Sequence, residues 1–349
     1  MIWIRLVSIL AAAGIAASAG PIYTLTDLGT LGGSSAMATS VNSFGQSVGT
    51  MTSAQGDIDA FTSSGVISDA QANGINDAGE IAGTQFIAGQ TYATVWSNGA
   101  ASTVGGAGSY ALAINNAGDV AGMLVNNGLG NAFITQNGTV IDLGVFDGGF
   151  WSAAYSVNDA GQAAGDGITS TGNFQAFLWT PAQGYAVLGT LGGAASYALS
   201  INDSGAVVGS AQTAAGYLHA TEWNGTVAQD LGTLGGISSS AYGINDLGNV
   251  VGTSFTTGNA VQDGFLEEGG VMYDINALLI DAPGWVITDL YAINDSNQIV
   301  GTGILNGVEH AVLLTDPPAP TPEPASWISA LAGLLGLSLR LRRTGRTSR

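Results

Sequence analysis

A five-residue motif recurs seven times along this 349-residue chain and limits its possible folds more than any other feature. Each copy has a β-branched residue, Asn, a small polar or acidic residue, a variable residue and then Gly, except that the last copy ends in Asn. Successive copies begin 34 to 49 residues apart, a spacing typical of repeat architectures. The copies are Val41–Gly45, Ile75–Gly79, Ile114–Gly118, Val157–Gly161, Ile201–Gly205, Ile244–Gly248 and Ile293–Asn297.

The motif predicts a tight turn between two strands. A β-branched residue ends the first strand, and the Asn and Asp side chains bond to nearby backbone groups, as they commonly do in turns. The final position then requires positive φ, which Gly adopts freely and Asn more readily than most other residues. This structural turn role is assigned to Gly45, Gly79, Gly118, Gly161, Gly205, Gly248 and Asn297.

Each repeat carries signals for two more strands. A segment such as Asn131-Ala132-Phe133 predicts a third strand, and Asn137-Gly138 then predicts a hairpin turn into a fourth strand at Thr139–Gly144. Four short antiparallel strands in roughly 42 residues are typical of one β-propeller blade. The predicted fold class is therefore all-β, and the predicted architecture is a β-propeller.

The two ends of the repeat region have complementary deficits. The seventh repeat reaches a Pro-rich segment at Asp316 without a fourth strand, whereas the region begins with an isolated fourth-strand segment, Ile22–Gly29. We therefore predict seven four-stranded blades, in which the N-terminal strand completes the last blade and removes an open sheet edge. An open β-solenoid or two smaller domains are alternatives, but neither explains why the deficits match.

The segments outside the repeats predict export. Residues 1–19 have the pattern of a signal peptide, with Arg5, an apolar run and the cleavage site Ala17-Ser18-Ala19. The predicted propeller, residues 20–316, is followed by a Pro-rich spacer at 317–324. An apolar, Arg-ended segment at 325–349 predicts a short transmembrane helix that holds the protein before processing.

Two parts of the chain resemble known families. The C-terminal segment resembles the PEP-CTERM sorting signal of Gram-negative bacteria, which implies an exosortase-type processing enzyme and a link with exopolysaccharide. Its matching residues are Pro322, Glu323, Pro324, Arg340, Arg342 and Arg343. The repeats resemble the bacterial HAF repeats, through Asp-Leu-Gly-Thr-Leu-Gly-Gly, Ile-Asn-Asp-x-Gly and x-Ala-Phe segments, although His-Ala-Phe itself does not occur. The repeat resemblance implies no known activity.

The charge distribution excludes several classes of ligand. No Lys or Arg lies between Leu6 and Leu339, while the chain holds 25 Asp and Glu residues. Without a basic patch, nucleic acid is not expected as a partner. The Gly-rich segments are not followed by Lys, so nucleotide-phosphate binding is not expected either.

Candidate catalytic residues are few. The chain has no Cys or Lys nucleophile, and His219 and His310 occupy the same strand position in two repeats, which favours a structural role. Five motif aspartates are explained by turn formation, and Glu267-Glu268, beside two Gly residues, is interpreted as a solvated turn. We expect no catalytic site and no cofactor.

Calcium is the one metal that the sequence leaves open. Hard cations favour carboxylate and carbonyl oxygens in loops, which Asp57-Ile58-Asp59 and Asn245-Asp246 could supply. No repeat matches an EF-hand loop or the calcium-binding nonapeptide. The metal ligands, if any, are therefore unknown.

These observations predict a non-enzymatic, exported protein of the cell envelope, cell surface or extracellular matrix, with a propeller that binds or supports other molecules. Exopolysaccharide is a candidate partner. The alternative is a carbohydrate-active hydrolase or lyase that uses carboxylates on one face of the propeller. Evenly distributed turn aspartates would favour the binding module, and a tight carboxylate cluster at one end of the channel would favour the enzyme.

Overall fold

Strands account for almost all regular structure in the computed structural model, which describes residues 21–63 and 65–317. The contacts divide the chain into residues 1–316 and 317–349. The predicted signal peptide, sorting residues and transmembrane segment lie outside the described residues.

The first half of the described chain forms a run of short strands. They are β1 (Tyr23–Gly29), β2 (Ser35–Val41), β3 (Ser47–Thr52), β4 (Ile58–Thr62), β5 (Gly65–Ile67), β6 (Ala70–Ile75), β7 (Ile81–Ile87), β8 (Gln90–Ser97), β9 (Ala100–Thr103), β10 (Tyr110–Ile114), β11 (Val120–Asn126), β12 (Leu129–Gln136), β13 (Thr139–Gly144), β14 (Trp151–Val157) and β15 (Ala163–Ile168).

The second half continues in the same way, with one short 3₁₀ helix, Ile275–Ala277. Its strands are β16 (Phe174–Thr180), β17 (Gly184–Val187), β18 (Gly192–Ile201), β19 (Val207–Thr213), β20 (Leu218–Asn224), β21 (Val227–Gly232), β22 (Gly235–Ile244), β23 (Val250–Thr256), β24 (Gln262–Glu268), β25 (Val271–Asp274), β26 (Leu279–Ile280), β27 (Trp285–Ile293), β28 (Ile299–Leu305) and β29 (Val308–Thr315).

The strands form seven antiparallel blades of four strands each. Blades 1 to 6 are β2–β5, β6–β9, β10–β13, β14–β17, β18–β21 and β22–β25, and blade 7 is β27, β28, β29 and β1. We name the strands of each blade A to D in that order. The predicted all-β propeller with seven four-stranded blades is confirmed.

The N-terminal strand closes the ring. Strand β1 pairs antiparallel with β29 from Thr24 opposite Thr315 to Gly29 opposite Ala311, and Tyr23 is buried. Strand β26, which the sequence did not predict, adds a parallel pairing on the outer side of β1. The isolated N-terminal strand therefore supplies the fourth strand that the seventh repeat lacks, as predicted.

The hydrophobic core lies between the blades rather than in one central mass. Seven clusters of buried side chains occur among the described residues, one at each interface between neighbouring blades. At the interface between blades 7 and 1, Val300 and Ala311 pack with Val41, Met51 and Phe61. Each blade is therefore stabilised by both of its neighbours, and opening the ring exposes two apolar faces.

A second recurring glycine, on strand B, allows strands A and B to approach closely. A Cβ atom built at any of these seven positions would lie 1.9–2.1 Å from a backbone carbonyl oxygen of strand A. No side chain fits at such a distance, which explains the repeated Gly. The positions are Gly49, Gly83, Gly122, Gly165, Gly209, Gly252 and Gly301.

The turn between strands A and B has the conformation that the motif predicts. Its seven final residues all have positive φ, from 55° at Asn297 to 85° at Gly205. In each turn, the N–H of this residue donates to the backbone oxygen of the motif Asn. The last copy can therefore use Asn in place of Gly because Asn tolerates the left-handed conformation.

The interpretation of Glu267-Glu268 as a solvated turn is wrong for Glu267. Both residues lie in strand β24, where Glu267 pairs with Met272 and Val250, and Glu267 is 7% exposed. Its carboxylate accepts a hydrogen bond from Gly270 N at 2.6 Å. Burial raises the pKa of Glu267, and the charges of Glu222 and Glu268 raise it further. The Gly pair that follows forms the turn that the sequence pattern suggested.

Candidate functional site

The propeller axis carries two cavities. One, of about 360 Å³, is lined by strand A residues of all seven blades, and the other, of about 220 Å³, lies at the turns between strands A and B. Ile114, Val157, Ile244 and Ile293 contact both cavities. The β-branched residues of the motif thus form an apolar band between the first cavity, which we call the channel cavity, and the second, which we call the turn mouth.

The motif asparagines form a closed ring of hydrogen bonds, which we call the Asn belt. Each side-chain Nδ2 donates to the backbone oxygen of the corresponding Asn in the next blade, at 2.8–3.1 Å. Asn294 of blade 7 donates to Asn42 of blade 1 and completes the circle. The members, all buried, are Asn42, Asn76, Asn115, Asn158, Asn202, Asn245 and Asn294.

The same amides also hold their own turns. In each copy the side-chain Oδ1 accepts from the backbone N–H four residues later, at 2.7–3.0 Å. The sequence indicated this local role but not the bond to the next blade. An Asn amide is suited to both tasks, because it carries a donor and an acceptor on one short side chain.

The residues after the belt form a second layer at the turn mouth. Asp77, Asp159, Asp203, Asp246 and Asp295 each accept a backbone N–H from the preceding blade at 2.8–2.9 Å, and in blade 3 the acceptor is an Asn. The aspartates were predicted to form their own turns, but these bonds join neighbouring blades. Burial raises the pKa of Asp203, and the charges of Asp159 and Asp246 add to the shift.

The channel cavity is lined by residues that β-bulges turn toward the axis. Every A strand has a register shift that leaves one residue unpaired near the turn, and that residue lines the cavity. Strands β18, β22 and β27 each have a second shift nearer their start. Bulges commonly re-aim a side chain in this way. The seven residues are Thr39, Asn73, Leu112, Tyr155, Leu199, Tyr242 and Tyr291.

Three tyrosines line the channel cavity. Tyr242 and Tyr291 form an aromatic wall on the neighbouring blades 6 and 7, whereas Leu199 of blade 5 separates them from Tyr155 of blade 4. The rings of Tyr242 and Tyr291 lie 5.6 Å apart, at an angle of 40°. Burial, with a contribution from Asp289, raises the pKa of Tyr291 to about 12. Burial also raises the pKa of Tyr155, and the nearby Asp166 carboxylate adds to that shift. These phenols are therefore neutral near pH 7 and offer hydroxyl groups beside aromatic faces.

Asp166 is an acidic residue buried between blades 4 and 5. It lies on strand β15, is 2% exposed, and its Oδ1 has no hydrogen-bond partner among the described residues. Burial raises its pKa to about 7. The other six blades have Thr, Ser or Met at this strand B position, so Asp166 is the one charged residue among the seven equivalent positions.

A cleft of about 360 Å³ opens beside the channel between blades 5 and 6. Tyr217 comes from the loop between strands B and C of blade 5, and Phe255 comes from strand B of blade 6. Tyr242 lines both this cleft and the channel cavity. The cleft and the channel therefore share an aromatic wall.

The two histidines lie on the C strands and pair with aspartates on the neighbouring D strands. His219 Nδ1 is 2.9 Å from Asp230, and His310 Nδ1 is 2.9 Å from Asp27. These aspartates begin Asp-Leu-Gly segments, and each also accepts a hydrogen bond from its own Gly N–H at 2.7–2.8 Å. The pairs thus join two recurring sequence motifs within one blade.

The residues considered for calcium do not share a site. Asp59 accepts from Asp69 N at 2.9 Å, whereas Asp246 belongs to the layer at the turn mouth. Among the described residues, no three His, Cys, Asp or Glu side chains stand close enough together to hold a metal ion.

Within the described ranges, a helix with the length and hydrophobicity of a membrane span is absent.

Comparison with known proteins supports the fold. No protein-family model and no curated relative matches the sequence. The β-propeller domain of the Trilobed protease from Pyrococcus furiosus, described as having an open velcro topology, matches with a TM-score of 0.57 and 12% identity over 85% of this chain and 96% of that domain. An acylaminoacyl peptidase matches with a TM-score of 0.50 and 13% identity over 81% of this chain.

TolB from Acinetobacter baumannii also matches, with a TM-score of 0.44 and 11% identity over 74% of this chain. The chain spans 59% of the length of TolB and 51% of that of the peptidase. At these identities the likeness extends to the propeller fold alone. In contrast to the open velcro of the Pyrococcus domain, the last blade here is closed by strand β1.

Proposed function

We propose that this chain is an exported, non-enzymatic binding module of the HAF-repeat type, presented at the envelope, surface or extracellular matrix of a Gram-negative bacterium. The observation that carries the proposal is the combination of a closed ring with an aromatic channel wall and an adjoining cleft. Ligand sites in proteins are typically preformed and concave, with aromatic walls and a few placed polar groups. Exopolysaccharide is the proposed partner.

The positions of the acidic groups favour binding over hydrolysis. The five turn aspartates are spread one to a blade, and each accepts a backbone N–H that joins it to a neighbouring blade. A hydrolase of this kind needs a pair of carboxylates that face one substrate bond. The distribution and bonding of these aspartates give them a role in holding the ring together.

Binding is tested with the protein secreted by its native host and with exopolysaccharide extracted from that host. We expect the protein to sediment with the polysaccharide, because the aromatic channel wall and cleft offer stacking surfaces for sugar rings. The measurement is the bound fraction at increasing polysaccharide concentration, with and without added calcium. Failure to sediment under both conditions would contradict the proposed function.

We further propose that an exosortase-type enzyme removes the C-terminal tail. The support comes from the sequence: prolines keep the segment at Pro322-Glu323-Pro324 extended, and the arginines that follow the apolar run favour a cytoplasmic position. Cleavage there would release the propeller from its transmembrane segment.

Mass spectrometry of the mature protein from the native host tests the proposed processing. We expect a C-terminus near Pro322-Glu323-Pro324, and an N-terminus at Gly20 after signal-peptide removal, so that the mature chain contains no Lys or Arg. A mature chain that retains Arg340–Arg349 would show that the tail is an ordinary anchor.

A further inference from the structure

We propose that the cleft between blades 5 and 6 is a binding site for an uncharged glycan. This inference rests on the proposed binding function and assigns it to a place and a ligand class. The cleft measures about 360 Å³, within the range of small-molecule sites.

Three aromatic rings form its apolar surface. Tyr217 and Phe255 belong to blades 5 and 6, and Tyr242 lies where the cleft meets the channel. Tyr217 is 45% exposed, although it sits in a short loop where a polar residue would cost nothing to solvate. The exposed ring of Tyr217, in the same cleft as Tyr242 and Phe255, provides a flat surface on which the C–H face of a sugar can stack.

The polar groups of the cleft are neutral. Gln262 donates through Nε2 to Asp289 Oδ1 at 3.0 Å, which fixes the amide and leaves Oε1 as an acceptor. Ser238, Ser240 and Tyr242, which carry hydroxyl groups, also line the cleft. Hydroxyl and amide groups of this kind match the alternating donors and acceptors of sugar hydroxyls.

The charge of the propeller selects against anionic glycans. Of the chain's 25 Asp and Glu residues, only Glu323 lies outside residues 21–316, which leaves 24 acidic residues and no Lys or Arg in that range. Uronate-rich or sulfated chains would therefore meet repulsion without a cation to offset it, and at physiological salt such repulsion still acts over about 8 Å. An uncharged glycan avoids this cost.

The test uses the full-length chain expressed in an exporting host and a set of defined oligosaccharides. The set contains uncharged glucose, galactose, mannose and N-acetylhexosamine oligomers, uronate oligomers and a Lys-rich peptide. We expect binding of at least one uncharged oligomer, at least about tenfold weaker binding in Tyr217→Ala, and less than about a threefold change in Tyr217→Phe, which keeps the ring.

A matched control removes an exposed aromatic ring from the other end of the blades. Phe44 is 73% exposed in the turn between strands A and B of blade 1, so Phe44→Ala should bind as the wild type does. All variants should unfold at the wild-type temperature, since neither ring is in the core.

The outcomes separate the cleft from the general function. Uncharged oligomers that bind wild type and Tyr217→Ala equally would overturn the cleft assignment while leaving a binding module elsewhere on the ring. Binding only of uronate oligomers or of the Lys-rich peptide would overturn the ligand class. If no oligosaccharide binds and the host polysaccharide also fails to sediment with the protein, the proposed function itself is overturned.

Discussion

Deleting residues 21–29 is expected to abolish cooperative folding of the propeller. The deletion removes strand β1, its pairing with β29 and β26, and the fully buried Tyr23. Loss of a buried aromatic side chain alone costs about 3–5 kcal/mol, a large part of the roughly 5–15 kcal/mol that stabilises a typical domain. The measurement is thermal unfolding followed by circular dichroism and calorimetry.

A shorter truncation serves as the control. Deleting only residues 21–22 leaves β1 intact and removes Ile22, which is 45% exposed, so the unfolding temperature should stay near that of the wild type. A synthetic peptide of residues 21–29, added to the longer truncation, should restore part of the lost stability. Unchanged unfolding of the longer truncation would show that β1 does not close the ring.

Asp166→Asn is expected to stabilise the protein by more at pH 8 than at pH 5. Burial raises the pKa of Asp166 to about 7 from the ordinary aspartate value of 3.8. One pKa unit corresponds to about 1.4 kcal/mol, so ionising this carboxyl in place costs on the order of 4 kcal/mol at most. Tyr155 and Tyr197, whose pKa values are sensitive to Asp166, are neutral at both pH values.

The direction follows from proton binding in the two states. Between pH 4 and pH 7 the folded state holds the Asp166 proton more tightly than the unfolded chain does, so the contribution of this residue to stability falls as pH rises through that window. Above pH 7 the full penalty is present. An Asn side chain does not ionise, so the free energy of unfolding of the variant should decline less steeply with pH.

Thr84→Val is the matched control for Asp166→Asn. Thr84 occupies the same strand B position in blade 2 and is likewise buried with no hydrogen-bond partner for its Oγ1 among the described residues, but it does not titrate. Its effect on the free energy of unfolding should be the same at pH 5 and pH 8. If the free energies of unfolding of the wild type and Asp166→Asn change with pH in parallel, Asp166 is not protonated in the folded state.

The blade count and the closure of the ring could be predicted because both follow from periodicity. Each blade contains one turn motif, and the last repeat lacks a fourth strand. Few strand topologies satisfy both conditions. The interval between Asn245 and Asn294 is the longest of the six, and the 3₁₀ helix and strand β26 occupy the extra length. A long interval signals an insertion but not its structure.

The partners of the recurring residues could not be predicted, because they lie in other blades. The motif Asn has a sufficient local explanation in its own turn, and nothing in one repeat reveals that its Nδ2 reaches the next. Gly209 and its equivalents recur because of a carbonyl oxygen on a bulged neighbouring strand, which the repeat sequence does not reveal. Glu267 was misjudged for the same reason, since burial depends on blade packing.

The candidate site was the least predictable part. Tyr155, Tyr242 and Tyr291 occupy a variable repeat position, where other blades have Thr, Asn or Leu. Their shared position became visible only when the bulges were found to aim them at one axis. The cleft depends further on a loop of blade 5 and strands of blade 6, which no single repeat contains.

The Asn belt bears on when, during synthesis, this protein can finish folding. The motif Asn of every blade donates a hydrogen bond to the next blade. The carbonyl of Asn42 therefore has its donor only after Asn294, 252 residues later, has been synthesised. In the same way, Thr24 can bond to Thr315 only after a further 291 residues. Contacts at such separations form slowly, because the loop they close is long. A polypeptide threaded through a membrane pore must pass unfolded. In the export that we propose, a ring that only its two ends can close would stay open until the last repeat has emerged on the far side.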